Sequence, residues 1–298
     1  MIENKPVYCF EDYVRANECI VIIAYRGYES NQISYELRKN IKYIFDYDFI
    51  GRTVLKDSYE RPISKEYLEA RKKDVQWLYD QLADKKSQES LDDFLYQRIY
   101  GNYWKSFDYN QYFQNDILIL YEDEVFIDCG AFRGENIIGF SEFAMAQGIK
   151  SWKAIAFEPD PFNIQIMKSR IKNLKNILFE ECGVYSSTRT LYFNSGEGSS
   201  SSVSEKGNIA IKVKAIDDVL EGEKATFIKM DIEGSEMEAL RGAEKTICKY
   251  KPKLAICIYH KREDFLDTPR YVKMLNPEYK LYIRNHDSAG IECVLYAI

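Results

Sequence analysis

The chain is 298 residues long, 46% hydrophobic and 30% charged, with a formal net charge of -6 at pH 7. That length buries a core easily and suits one large domain plus a smaller one. The acidic balance argues against nucleic acid as a partner, and the longest basic patch, Arg71-Lys72-Lys73, sits in a mixed-charge helical stretch that reads as a solvated face.

Residues 1–62 read as a small Rossmann-like α/β unit. An apolar run at 19–24 is followed by Arg26-Gly27, a helical pattern over 29–39 and a second apolar run at 41–45. Gly27 stands alone where a dinucleotide fingerprint needs three glycines, so this turn is expected to be structural. Residues 63–115 turn helical, with Tyr67, Ala70, Trp77, Leu78, Leu82, Leu91, Phe94, Leu95 and Ile99 at helical spacing. This is a helical connector, or a lid if the aromatics Tyr103, Trp104, Phe107, Tyr109, Tyr112 and Phe113 cover a site. Tyr112 is taken as the candidate substrate contact among them.

Residues 116–298 alternate regularly. Strands are expected at 125–129, 154–158, 177–181, 226–231 and 254–259, separated by helices at 135–147, after Asp160-Pro161, at 235–248 and at 265–275. Asp160-Pro161 suits an N-cap followed by proline at the first helical position. A Gly/Ser-rich loop at 195–202 lies between short strand candidates at 191–193 and 209–213. The last two strands, 280–284 and 292–297, lack an intervening helix, so one of them is antiparallel. A doubly wound α/β sheet of the class I methyltransferase, Rossmann-like type is the predicted fold.

Seven cysteines show no C-x-x-C spacing, so no zinc site is expected. The N-terminus lacks a charged-then-apolar leader, and no apolar run approaches the roughly 18 residues of a membrane span. A cytoplasmic protein is the expectation.

The sharpest motif is Asp128-Cys129-Gly130-Ala131-Phe132-Arg133-Gly134, an acid at a strand end followed by two glycines before a helix. Glycine is needed where a ligand approaches main-chain atoms closely. The spacing D-x-G-x-x-x-G differs from a pyrophosphate cradle, and an acid there would repel pyrophosphate while suiting a sulfonium and an ammonium. That favours S-adenosylmethionine over NAD. Glu158, 28 positions beyond Gly130 at the end of the next strand, can accept both ribose hydroxyl protons, with Pro159 beside it. A helix-capping cluster is the alternative, and it explains Asp160 better than Glu158. Gly183 and Val184 after the third strand could lie against an adenine or form a plain turn.

Lys229, Asp231 and Glu233 alternate at and just beyond a strand end. Asp231 could face the methyl group, orient the acceptor, or bind a cation with Glu233; the acids could also simply favour the first turn of the next helix. The chain has only two histidines, His260 and His286, and both follow apolar strands at the same edge. His260 is the preferred general base, since an ordinary imidazole titrates near working pH. His286, Glu233 and Tyr112 are candidate substrate residues, while Lys229 and Asp231 join His260 as catalytic candidates.

With these motifs in place the chain resembles the FkbM family of methyltransferases over about 116–298. The resemblance rests on Phe126-Ile127-Asp128-Cys129-Gly130-Ala131, Phe157-Glu158-Pro159-Asp160, Ile228-Lys229-Met230-Asp231-Ile232-Glu233-Gly234-Ser235-Glu236, Tyr259-His260-Lys261-Arg262-Glu263-Asp264 and Tyr282-Ile283-Arg284-Asn285-His286, in that order. It implies transfer of a methyl group from S-adenosylmethionine to oxygen on a sugar, a glycan or a related small-molecule hydroxyl. It supports Asp128, Gly130, Glu158 and Asp231 as pocket residues. An NAD(P)-dependent oxidoreductase or epimerase, and a non-catalytic cofactor-binding assembly module, are the competing readings; a homo-oligomer is compatible with all three.

Overall fold

The computed structural model describes residues 20–23, 43–46, 63–100, 110–193, 209–286 and 292–298. The helix expected at 29–39, the Gly27 turn, the aromatics Tyr103, Trp104, Phe107 and Tyr109, and the loop at 195–202 lie outside them. The two apolar runs near the N-terminus form strands β1 (Ile20–Ile23) and β2 (Tyr43–Asp46), paired parallel as a two-stranded sheet.

Three helices follow: α1 (Lys65–Ala70), α2 (Lys72–Gln81) and α3 (Lys85–Tyr100). Ser64 caps α1 by accepting from the Tyr67 amide at 3.2 Å. Leu78, Leu91 and Phe94 are buried, as the helical spacing of apolar residues requires.

The remaining elements are β3 (Glu124–Cys129), α4 (Glu135–Ala146), β4 (Trp152–Phe157), α5 (Pro161–Arg170), β5 (Ile177–Glu180), β6 (Gly183–Val184), β7 (Arg189–Phe193), β8 (Ile209–Lys214), α6 (Ile216–Leu220), β9 (Phe227–Met230), α7 (Glu236–Arg241), α8 (Glu244–Tyr250), β10 (Lys253–Cys257), α9 (Asp264–Leu275), β11 (Leu281–Asn285) and β12 (Cys293–Ala297). Seven strands form one sheet in the order β5-β4-β3-β9-β10-β12-β11. Only β12 runs against its neighbours, β10 and β11. The short strands β6, β7 and β8 form a separate three-stranded sheet.

The sheet is buried on both faces, which is why β3, β9 and β10 read as near-continuous apolar runs. On one face Phe126, Ala154, Ala156, Phe227 and Cys257 pack with α4, α5 and the segment Tyr112–Leu120. Phe126 and Phe140 stack at 4.5 Å and Phe113 meets Phe126 edge-on at 6.0 Å. On the other face Ile127, Ile155, Ile228 and Leu254 pack with α6 to α9 and with the apolar side of α2 and α3. Each fully buried Phe, Ile or Leu among these contributes about 1.5–3 kcal/mol.

Asp160 caps α5, accepting from the Phe162 amide at 2.7 Å, with Pro161 at the first helical position. The single helix expected at 235–248 is instead two, α7 and α8. The break falls at Gly242, whose carbonyl accepts from the Asp217 amide at 2.8 Å instead of continuing the helix. A Cβ there would stand 2.1 Å from the Tyr185 carbonyl oxygen, so the approach of α7 to that chain requires glycine.

The helical segment covers the exposed edge of β11. The Ala83 amide donates to the Leu281 carbonyl at 2.8 Å and the Ile283 amide to Ser87 Oγ at 3.0 Å. Arg284, 1% exposed, reaches Asp84 at 2.7 Å and Asp116 at 3.0 Å. An edge strand so covered cannot template a further strand.

Candidate active site

The strand order reverses between β3 and β9, and ligands in open α/β sheets bind outside the carboxyl ends of strands at such a switch point. The two loops that leave these strands touch. Gly130 has φ +80°, and a Cβ on it would lie 2.1 Å from the Asp231 carbonyl oxygen. No other residue type fits there. The Gly130 and Ala131 amides both donate to the Phe157 carbonyl, at 3.1 and 2.9 Å, folding the loop back over β4. Gly134, at φ +84°, starts α4; its missing side chain would meet Met167.

Glu158 ties the loop to the end of β4. It is 6% exposed; one carboxylate oxygen accepts from the Phe132 amide and the other from the Asp160 amide, each at 2.9 Å. Burial pushes its carboxyl above the usual range, and those amide donors partly offset the rise. Pro159 follows, half-buried. Phe132 has φ +48° and stands 44% exposed at the loop tip.

Asp128 and Lys229 are cross-strand neighbours on β3 and β9, both essentially inaccessible. Lys229 Nζ lies 3.0 Å from Asp128 Oδ1 and donates to the Gly130 carbonyl at 2.9 Å. Burial raises the Asp128 carboxyl above the usual range while Lys229 opposes the rise. For Lys229 burial alone would lower the pKa, but Asp128 and Asp231 outweigh it and hold the ammonium. This corrects the expectation that Asp128 offers its charge to a cationic ligand. Its charge is met by Lys229 beneath the loop, because a carboxylate with no counter-charge would cost several kcal/mol there.

Beyond β9, Asp231 is the centre of a polar cluster. Oδ2 accepts from Tyr112 Oη at 2.8 Å and Oδ1 from Tyr259 Oη at 3.2 Å. His260 Nε2 is 3.5 Å from both Asp231 Oδ1 and Glu233 Oε2, while Nδ1 is 2.9 Å from Glu236 Oε1. Burial would raise the Asp231 carboxyl, but Lys229, His260 and the two tyrosine hydroxyls hold it below the usual range. Glu233, at φ +54°, is pushed up to about 7, mainly by burial, with His260 opposing. His260 is pushed up to about 9: burial acts downward, and Glu236, Asp231 and Glu233 overcome it. Surrounded by these acids the imidazole holds its proton at neutral pH. The expectation that His260 is a ready base with an ordinary pKa is therefore corrected.

The other sequence candidates fall into place around this cluster or away from it. Tyr112 is 3% exposed at φ +67°, so it is a buried partner of Asp231 and not an open ring for stacking. Its amide donates to Tyr296 Oη at 3.0 Å, and His286 Nε2 lies 2.9 Å from that same hydroxyl. Gly183 and Val184 form β6 in the separate sheet, with Val184 buried in the core. Glu236 and Tyr259 received no role from sequence, although Glu236 ends a quoted motif and Tyr259 precedes His260. A fully buried acid in the first turn of α7 is not distinguishable by sequence from a surface acid that favours a helix start. Arg98 of α3 donates to the Tyr259 carbonyl at 2.8 Å, bringing the helical segment to this edge.

The sequence matches the methyltransferase FkbM domain family over residues 128–287. Among solved structures the chain is similar to methyltransferase FkbM from Methylobacillus flagellatus KT, with 26% identity over 92% of this chain and 72% of that one, and a TM-score of 0.72. More distant likenesses include an rRNA methylase from Streptococcus thermophilus (16% identity, 60% of this chain, 87% of that chain, TM-score 0.37) and Aeropyrum pernix fibrillarin in complex with S-adenosyl-L-methionine (8% identity, 61% and 70%, TM-score 0.38). No curated protein matches the sequence. The central sheet is that of the class I methyltransferases, as the alternation of elements predicts.

Proposed function

The chain belongs to the FkbM methyltransferase family, and from that premise we propose that it transfers a methyl group from S-adenosylmethionine to a hydroxyl oxygen of a sugar, a glycan or a related small molecule. One observation carries the reading: the contact of Gly130 with the Asp231 backbone, which puts a glycine loop suited to a cofactor and an acid cluster suited to an acceptor side by side at the switch point.

The residues present fit such a cofactor. Gly130 lets this loop close against the Asp231 backbone, and Glu158 has lone-pair capacity left after accepting from the Phe132 and Asp160 amides and the Asn163 side chain with which to take ribose hydroxyls. Gly130, Ala131, Gly134, Glu158 and Pro159 would hold it, with Gly183 and Val184 proposed on the adenine side. Asp128 acts through Lys229, which grips the Gly130 carbonyl and keeps the loop in shape. When bound, the cofactor supplies a methyl group on a sulfonium, already a strong electrophile.

What remains for the protein is to place an oxygen in line and take away its proton. Positioning of this kind is worth several kcal/mol. Asp231, pinned by Tyr112 and Tyr259, is proposed as the group that receives the acceptor hydroxyl, with Glu233 at the open rim beside it. Lys229 and His260 act through Asp231 by fixing its charge and position. His286 supports Tyr112 through Tyr296. No helix among the described residues is long and apolar enough to cross a membrane.

The test is calorimetric titration with S-adenosylhomocysteine, then transfer of labelled methyl to a panel of sugars and glycans. Saturable binding and base-stable label on oxygen are expected. Absence of binding, or label appearing only on nitrogen acceptors, would overturn the reading.

A further inference from the structure

The seven-stranded sheet has two ends, and the chain treats them differently. At one end the helical segment lies along β11, with Ala83 and Ser87 bonded to its backbone. At the other end stands β5, which pairs with β4 alone among the described residues. The Asn176 and Glu180 carbonyls accept from the Ala154 and Glu158 amides at 3.0 and 3.2 Å, so the even-numbered residues of this stretch turn their backbone toward β4. Strand geometry then turns the N–H and C=O groups of Ile177 and Phe179 outward. Such an edge is a template for another strand unless a proline, a charge or a bulge blunts it, and Ile177-Leu178-Phe179 has none of these.

The side chains along this edge complement themselves. Leu178 lies on the face of Ile155 and is 51% exposed, while Ile177 and Phe179 pack on the opposite face. Lys175 and Glu181 flank the run, and both are exposed. Lys175 has no ion-pair partner among the described residues; Glu181 meets Lys168 at 2.7 Å with its side chain still open to solvent. Laid antiparallel on a copy of itself, with Leu178 opposite Leu178, the stretch sets Ile177 against Phe179 and Lys175 against Glu181. Ile177 and Phe179 are the residues whose backbone groups face outward, so they form the pair that exchanges both N–H···O bonds. Leu178 then falls at the closer, non-hydrogen-bonded position, where side chains touch. A register centred on Ile177 sets Lys175 against Phe179, and one centred on Phe179 sets Leu178 against Glu180; neither matches like with like.

We propose that the chain forms a two-fold dimer in which β5 pairs antiparallel with β5 of a second copy about an axis at Leu178, joining the two sheets into one. An isologous contact of this kind uses the same patch on both copies and closes on itself. The joined sheet grows no further, because its outer ends are the β11 strands, each covered by its own helical segment. The two β5 strands run in opposite directions, so the two candidate active sites open on opposite edges of the joined sheet. The dimer does not rest on the methyl-transfer reading.

The experiment is sedimentation equilibrium of the full chain, with hydrogen exchange followed across a dilution series. A dimer is expected, with the Ile177 and Phe179 amides protected when it is concentrated and exchanging freely once it is diluted to monomer. Leu178→Lys brings two ammonium groups together at the axis and should weaken the dimer at least about tenfold. Glu181→Lys sets lysine against Lys175 and should weaken it by a similar factor, while Lys175→Glu/Glu181→Lys should restore it, a rescue that only the proposed register gives. A wild-type chain that stays monomeric at the highest attainable concentration overturns the proposal whether or not the variants fold. So does a dimer indifferent to Leu178→Lys, or protection at Ile177 and Phe179 that ignores dilution.

Discussion

After β3 the chain is shaped by its backbone: Gly130 and Gly134 sit at φ +80° and +84°, and the turn is closed by main-chain amides donating to Phe157 and Glu158. After β9 it is shaped by side chains, with Asp231 held by Tyr112 from the segment before β3, Tyr259 and His260 from the end of β10, and Glu236 beyond them on α7. Backbone constraints write themselves into the sequence as glycines at fixed spacing. Side-chain constraints write nothing local, because the partners come from distant parts of the chain. The two loops meet at Gly130 and Asp231, and perturbing each side separately is the way to test whether they depend on such different forces.

Lys229 joins the two sides and is expected to give the largest effect. Lys229→Met leaves Asp128 buried without its counter-charge, which should cost about 3–5 kcal/mol in urea unfolding. The double variant Lys229→Met/Asp128→Asn should recover most of that, since it removes the orphaned charge as well. A single variant within about 1 kcal/mol of wild type would show that the pair is not the link between the loops.

Gly130→Ala acts on the backbone side. A left-handed conformation costs an L-residue about 1–2 kcal/mol, and the new methyl must also displace the Asp231 carbonyl, so about 3 kcal/mol of destabilisation is expected. S-adenosylhomocysteine binding should be lost with it. Retention of wild-type affinity in calorimetry would mean that the loop is not the cofactor cradle.

Asp231→Asn tests the side-chain side. It keeps the shape but removes the charge that Tyr112, Tyr259 and His260 converge on. Methyl transfer should fall by about 10²-fold while S-adenosylhomocysteine affinity stays within about threefold. An equal fall in both would place Asp231 on the cofactor instead of the acceptor.

The same contrast explains what was legible in advance. The sheet, its antiparallel last strand and the Asp160-Pro161 helix start were readable because period, proline and capping chemistry are local signals. The division of the 235–248 helix was not, because it depends on the Tyr185 backbone more than 50 positions away coming against Gly242. The sequence placed both histidines at the right edge but misjudged the protonation of His260, since the three acids that set it all lie in the stretch after β9, which meets the end of β10 only in the folded sheet. It also treated Asp128 as a free charge, because the register that puts Lys229 beside it is set only when β3 and β9 pair.

Glu158 should give the smallest effect, and it separates the two sides most finely because its bonds to the loop are backbone amides while its proposed bonds to the ribose use its charge. Glu158→Gln retains one acceptor oxygen and the side-chain volume but turns a donor toward an amide that expects an acceptor. Loss of a charge-assisted acceptor should weaken S-adenosylhomocysteine by about tenfold. The pH dependence carries the sign. Burial holds the Glu158 carboxyl above its ordinary value of 4.5, so in the free protein it takes up its proton at a higher pH than a surface glutamate does. The ionised form is the one that accepts two ribose hydroxyls, so wild-type affinity should decline as pH falls toward that raised pKa. The side-chain amide of the variant has no proton to gain, and its affinity should stay flat. Parallel pH profiles for the two proteins would move the ribose contact to another residue and leave Glu158 with the single task of closing the loop after β3.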